Sequence, residues 1–295
     1  THCWDEAFVP SEALIQVDID PDELGKNYPV TLPLAADCGS IVQALLKRIG
    51  ERRRSGEDIE RFKNKTDYFS EPQMKSDATP IKPQRLMGEV SKTVSRSATI
   101  SADIGNTLVW AERNFMSYPE GQFITFTGLA AMGSATAAII GGKLGRPDQP
   151  ALCFCGDGDF FMTGMEIATA VHHRIPVVWV VLKNSRLGMI QDNQSLSYQN
   201  RYIASDFVAT DFVALAEALG AKGRSVEKPE DIERAISEAL ETPGPAVIEV
   251  TIDPDELPPI KPRMMALQRS VGNPDVLSSI SWDAIKALFT MVKER

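Results

Sequence analysis

The 295-residue chain is 43% hydrophobic and 24% charged, a globular composition long enough for one large core and a smaller appendage. Its net charge of −9 is spread along the chain with no basic stripe, which excludes nucleic acid and an anionic membrane surface as electrostatic partners; an anionic ligand needs a local site. No apolar run approaches the roughly 20 residues of a membrane span, and THCWDEAFVP lacks the basic and apolar regions of a signal peptide, so a cytoplasmic location is expected.

Ala13 to Ile19 (ALIQVDI) reads as a strand, entered abruptly and without an initiator Met, and the expectation is that the chain begins inside, or beside, something larger. Ile41, Leu45, Leu46 and Ile49 then fall at helical spacing between Cys38 and Arg54. From Arg52 to Lys82 charge, Ser and Pro dominate with little periodicity, a linker pattern, so a domain is expected to begin near Lys82.

Pro83 suits the first turn of a helix that places Leu86, Val90 and Val94 on one face. A strand from Ala98 to Ala102 runs into Asp103, Ile104 and Gly105, and the small residues of GLAAMGSATAAIIGGKLG allow a helix to approach a sheet closely. There follow the strand ALCFC (151–155), a helix from Met165 to Val171, the strand Val177 to Leu182, helices carrying Phe212, Leu215, Leu219 and Ile232, Ile236, Leu240, and the strand Ala246 to Ile252. Strands that are continuous apolar runs, spaced by helices, imply an α/β fold with a doubly wound parallel sheet and helices on both faces. Cys153 and Cys155 should share one face of their strand, as buried reduced thiols rather than redox or metal groups. After Pro254 the chain turns Pro-rich and ends in a short helix, Trp282 to Lys293, a tail that either covers an active site or packs on the flank.

In an open α/β sheet, ligands bind outside the carboxyl ends of the strands. Asp157 and Asn184 both stand at such ends. Gly156 and Gly158 allow the close backbone approach that a phosphate needs, and Thr163 with Glu166 has capping-box spacing for the helix beyond. A carboxylate, an amide carbonyl and a backbone carbonyl supply three hard oxygens, and a diphosphate with water completes the near-octahedral shell of Mg²⁺. GDG alone is equally a turn with a capping Asp; a dinucleotide G-x-G-x-x-G fails because Phe161 holds the third glycine position.

The phrase as a whole, GDG leading to Asn184, resembles the thiamine-diphosphate signature of the acetolactate synthase-like, thiamine-diphosphate-dependent enzymes. IQVDIDPDELGKN with Val30 to Leu34 is similar to the end of that family's central domain; ADIGNTLVW, GLAAMG, the GDG segment, NSRLGMI and RYIASDFVATDFVALAEALGAKG are similar to successive parts of its diphosphate-binding domain. The resemblance implies residues 1–65 as the remnant of a central Rossmann-like domain, 66–81 as linker, 82–255 as the diphosphate-binding domain and 256–295 as the tail. It also implies thiamine diphosphate and Mg²⁺ as cofactors. The metal ligands would be Asp157, Asn184 and the Arg186 carbonyl. Gly156, Gly158 and Asp159 would meet the diphosphate, with Gly105, Asn106, Thr107, Gly188 and Met189 around it. Met132 would force the cofactor's V shape and reach the pyrimidine through its N–H, and the Ala130 carbonyl would accept from the 4′-amine.

In that family the activating glutamate lies in a separate pyrimidine-binding domain, so the expectation is half of an active site. A pyrimidine-domain subunit would supply the catalytic Glu, in a hetero-oligomer with at least two copies of each chain and no flavin. Three departures stand out. GMIQDN puts Asn193 where the family has a substrate-shaping tryptophan, which counts against acetolactate as product. Ala130 and Ala131 replace Gly and Thr. Asp159 replaces a small or hydroxyl residue and is expected to turn away from the phosphates and cap the helix. His172 and His173 read as helix C-terminal residues rather than catalytic ones. The alternatives are a non-catalytic scaffold subunit of the same fold, or another Mg²⁺-phosphate enzyme, such as a phosphatase, resting on D-G-D at 157–159.

Overall fold

A computed structural model describes residues 9–49, 60–61 and 71–259, which divide into two compact units. The N-terminal unit pairs β1 (Ile15–Asp18) with β2 (Leu32–Ala35) in parallel, Ile15 opposite Leu32, and follows them with α1 (Cys38–Ile49). Two strands and a helix do not close a core. Val42, Leu45, Leu46 and Ile49 on α1 accordingly remain exposed.

The second unit is built on six parallel strands. In chain order they are β3 (Thr99–Ala102), β4 (Gln122–Thr125), β5 (Ala151–Gly156), β6 (Val178–Lys183), β7 (Lys222–Val226) and β8 (Ala246–Thr251), arranged β4-β3-β5-β6-β8-β7. The sheet is doubly wound with helices on both faces, as its apolar runs require. Because strand side chains alternate, each strand feeds two cores. On one side Ile100, Leu152, Phe154, Val180 and Ile248 pack against α2 (Pro83–Thr93), α3 (Asn106–Asn114) and α9 (Ile232–Leu240). On the other, Cys153, Cys155, Trp179, Val181 and Val247 meet α4 (Ser134–Gly145), α5 (Asp157–Thr163), α6 (Ile167–His172) and α8 (Phe212–Ala218). Cys153 and Cys155 are buried free thiols on one face.

Three local expectations need correction. Part of the stretch taken as linker packs on this unit: Met74 is buried, Glu71 pairs with Arg113 at 2.6 Å, and Ile81 bridges to Ile252 beside β8. The Thr163–Glu166 capping box does not form, because the helix starts six residues earlier, at Asp157. Thr163 instead donates its hydroxyl to the Gly133 carbonyl at 2.6 Å, while Glu166 accepts from the Thr169 hydroxyl. Finally, β4, β7 and the helix α7 (Gly188–Ser197) join the expected elements. The helix expected from Trp282 to Lys293 lies outside the described residues, as does most of the stretch from 52 to 82.

The sheet's direction reverses at β3: the chain crosses to β4 on one side and returns to β5 on the other. Outside that switch point Asp103 accepts four hydrogen bonds: from the Ile104 N–H at 2.9 Å, the Gly133 N–H at 3.0 Å, the Thr136 N–H at 2.8 Å and the Thr136 hydroxyl at 2.7 Å. Thr136 in turn accepts the indole N–H of the buried Trp179 at its carbonyl. Asp103 thus pins the loop carrying Ala130 and Met132 to the end of β3. Asp103→Ala strands the Gly133 and Thr136 donors in a buried site and is expected to cost roughly 3 kcal/mol, read as a lower urea midpoint with unchanged m-value.

Candidate cofactor site

The carboxyl ends of β3, β5, β6 and β8 surround a cavity of about 140 Å³. Open doubly wound sheets place ligands at this position, where the strand order reverses. The structure brings Gly105, Asn106, Thr107, Met132, Gly156, Asp157, Gly158, Asp159, Asn184, Arg186, Gly188 and Met189 together around it. Of the residues the resemblance implied as cofactor or metal contacts, only Ala130 stands apart from the wall. It sits in the loop before Met132, exposed, with φ 56°, a left-handed conformation that costs a non-glycine residue about 1 kcal/mol.

Asp157 is 2% exposed and opens α5. One carboxylate oxygen, Oδ2, accepts from the Asn184 N–H at 3.0 Å and from the Ser185 N–H, which ties the ends of β5 and β6 together. The other oxygen, Oδ1, is buried with no partner among the described residues. Burial pushes the carboxyl up to about 6, against the pull of the Asn184, Ser185 and Arg186 N–H groups and of the Lys183 charge. An unpaired buried carboxylate oxygen is costly unless a cation or donor reaches it.

Arg186 bridges to Asp206 through its neighbours: the Leu187 N–H donates to the Ser205 carbonyl and the Phe207 N–H to the Ser185 carbonyl. In such an antiparallel bridge the central residue's own peptide groups face the other way, and the Arg186 N–H is among the groups that pull the Asp157 carboxyl down. A Cβ at Gly158 would lie 2.5 Å from Met132 Cε and 2.6 Å from Leu187 Cδ2, so a larger residue there would have to push both side-chain tips aside. The turn after β5 is therefore packed directly against Met132.

Asp159 turns back on its own helix. Its Oδ2 accepts from the Gly156 N–H at 2.9 Å, one half of a capping box, and its Oδ1 is buried without a partner among the described residues. Burial, then the Asp103 carboxylate, push this carboxyl up to about 8. Asp157 and Asp159 engage different backbone donors, Asp157 those of the Asn184–Ser185 turn and Asp159 that of Gly156. His172 and His173 end α6 with rings 4.7 Å apart. Asn193 accepts from the Ser197 hydroxyl on α7 and does not line the cavity.

Several residues escaped the sequence reading. Asp103 stands at a strand end, a position that could have flagged it. Asp192, buried on α7, accepts from Asn106 Nδ2 at 2.6 Å, and only the folded contact reveals that pair. Lys82 reaches Asp253 at 2.6 Å and Glu256 at 2.7 Å, fastening the segment after β8 at the cavity edge.

The fold and site define a class: an α/β domain whose switch-point cavity offers hard oxygens and backbone donors to a metal-bound phosphate. Residues 103–250 match the family model described as the C-terminal TPP-binding domain of thiamine pyrophosphate enzymes. The chain belongs to that family, and membership implies thiamine diphosphate and Mg²⁺ as its cofactors. It is 32% identical over 265 residues to a probable acetolactate synthase large subunit of Methanococcus aeolicus, covering 84% of this chain and 44% of that protein. A probable acetolactate synthase large subunit of Methanocaldococcus jannaschii is 30% identical over 304 residues, 97% of this chain and 51% of the relative. The acetolactate synthase isozyme 2 large subunit of Escherichia coli is 28% identical over 247 residues, with 83% and 44% covered. The chain spans about half the length, or less, of these relatives.

A carboxylate must be ionised to hold Mg²⁺, and Asp157 titrates near 6 before the metal arrives. Mg²⁺ affinity of the chain in the absence of diphosphate, which titrates in the same range, is therefore expected to level off above about pH 6 and to fall up to about tenfold per unit below it. Calorimetric titrations from pH 5 to pH 8 check this.

Proposed function

We infer that this chain is the diphosphate- and Mg²⁺-binding subunit of a cytoplasmic, split thiamine-diphosphate-dependent carboligase, lyase or decarboxylase, acting on 2-oxo acids or 2-hydroxyacyl compounds. A pyrimidine-domain partner supplies the catalytic glutamate, in a hetero-oligomer with at least two copies of each chain. The observation that carries the reading is Asp157 Oδ1, buried, unpaired and beside Asn184 at the cavity. The cavity wall also bears Asp253 and Glu256, which share the one Lys82 ammonium, against the single cation Arg186 among its lining residues. A diphosphate entering without a cation would meet net negative charge, so the acids favour it only as a complex with Mg²⁺.

In this reading Asp157, the Asn184 side chain and the Arg186 carbonyl hold the metal. Gly156, Gly158 and Asp159, with Gly105, Asn106, Thr107, Gly188 and Met189, surround the diphosphate. Met132 bends the cofactor and Ala130 offers its carbonyl, for which its left-handed backbone is a functional constraint. When bound, the thiazolium supplies the electron sink for making or breaking a bond next to a carbonyl. The chain's own residues bind and orient it, and exclude water from one side.

Exposed apolar side chains support the missing partner. Leu129, next to Ala130, is 92% exposed and Val208 is 88% exposed, while Phe161 and Met162 are also exposed beside the cavity loops. Apolar surface concentrated around a ligand site suits a protein interface. The test is to combine this chain with a pyrimidine-domain partner, thiamine diphosphate and Mg²⁺ and assay a panel of 2-oxo and 2-hydroxyacyl substrates. No turnover across the panel, with cofactor binding intact, would leave the scaffold reading standing instead.

A further inference from the structure

The geometry points to Asp192 as a positioning residue of the diphosphate site: it holds the Asn106 side-chain amide across the gap between the β3–α3 loop and α7. This deepens the thiamine-diphosphate reading and rests on it. Asn106 begins α3, outside the switch point, and Asp192 lies on the second turn of α7, 86 residues away. Their hydrogen bond, Asn106 Nδ2 to Asp192 Oδ2 at 2.6 Å, joins two segments that face each other across the cavity.

A carboxylate only accepts, so the bond dictates which end of the Asn106 amide faces α7. The nitrogen must point that way, and Oδ1 is left on the opposite side, buried and without a partner among the described residues. The amide also needs room. Gly188 provides it: a Cβ there would lie 2.8 Å from Asn106 Nδ2. Asp192 and Gly188 together leave the amide one orientation. Among the described residues the amide nitrogen hydrogen-bonds only to Asp192, which leaves its second proton for an anionic oxygen in the cavity.

The negative charge of Asp192 itself opposes an anionic ligand, so its contribution is the fixed geometry of Asn106, an ordering accomplished before the ligand arrives. An uncharged acceptor of the same shape should serve as well. A residue that merely supported α7 would act whether or not Asn106 were present.

The experiment is a calorimetric titration of the full chain with inorganic diphosphate in saturating Mg²⁺, for the wild type, Asp192→Ala, Asp192→Asn, Asn106→Ala and the Asn106→Ala/Asp192→Ala double variant, each checked for folding by circular dichroism. Asp192→Ala and Asn106→Ala should each weaken binding about tenfold, the double variant should bind no more weakly than Asn106→Ala, and Asp192→Asn should stay within about threefold of wild type. Asp192→Leu, similar in size but unable to accept a hydrogen bond, replaces Asp192→Ala should that variant not fold; it should weaken the wild type about tenfold and Asn106→Ala not at all. Wild-type binding in Asp192→Ala, or a full further loss when Asp192→Ala is added to Asn106→Ala, overturns the proposal. Five flat titrations, wild type included, would overturn the diphosphate reading itself and this proposal with it.

Discussion

Asp159→Asn is expected to stabilise the cofactor-free protein, with a gain that grows as pH rises. The folded Asp159 carboxyl titrates near 8, driven up first by burial and then by Asp103 and Asp157, with only the Gly156 N–H favouring ionisation. In the unfolded chain it returns to about 3.8. Between these values the unfolded state is ionised while the folded state must either take up a proton or bear a buried charge. Stability is therefore lost as pH rises through that window, and the loss is complete above about pH 8. Asparagine can still accept from the Gly156 N–H through Oδ1, and it carries no charge for Asp103 and Asp157 to repel. Each pH unit in the window corresponds to about 1.4 kcal/mol, and with the amide's own burial set against this, a net gain of roughly 3 kcal/mol is expected at neutral pH. The midpoint should rise by about 5–10 °C at pH 8 and change little near pH 4. Thermal unfolding of both proteins at several pH values tests this; a midpoint difference independent of pH would rule out Asp159 as the source.

Asp157→Ala is expected to abolish Mg²⁺-dependent diphosphate binding, a loss of at least about 100-fold. It removes the Oδ1 that is buried without a partner among the described residues, the atom proposed to bind the metal, and also the Oδ2 that joins β5 to the Asn184–Ser185 turn. The two losses separate by substitution. Asp157→Asn keeps an acceptor for the Asn184 and Ser185 N–H groups but no negative charge, so it should lose the metal while melting near the wild type. Asp157→Ala should lose the metal and about 2 kcal/mol of stability besides. Isothermal titration with Mg²⁺ and inorganic diphosphate, paired with urea unfolding, reads both. Wild-type metal affinity in Asp157→Asn would remove Asp157 from the ligand set.

The central strands were legible because a strand buried on both faces must be apolar at every position, as in ALCFC and VWVVL. β4 and β7 were not, because they are the two edges of the sheet. Lys222, Gly223, Arg224 and Ser225 of β7 carry no apolar run, since only Val226 is buried. α7 escaped for a related reason: its buried residues are Gln191, which donates to Asp206, and Asp192, which accepts from Asn106, polar contacts rather than an oily core, so no apolar stripe marks it. The capping box assigned to Thr163 and Glu166 shows the converse error. The spacing was present, but the helix had already begun at Asp157, and the neighbouring Gly133 carbonyl took the Thr163 hydroxyl.

By itself the sequence determined the doubly wound parallel sheet, the placement of Asp157 and Asn184 at two strand ends, and the kind of ligand those ends suit. These follow from local rules: strand burial sets composition, and strand ends set where polar groups can gather. Only the tertiary structure decided that the two ends belong to adjacent strands, that Gly158 leaves room for Met132, that Asp159 folds back onto Gly156, and that Asp103 and Asp192 brace the loops around the cavity. Each of these depends on a contact between segments whose closeness arises from sheet order and helix packing, and no pattern along a single segment carries that information.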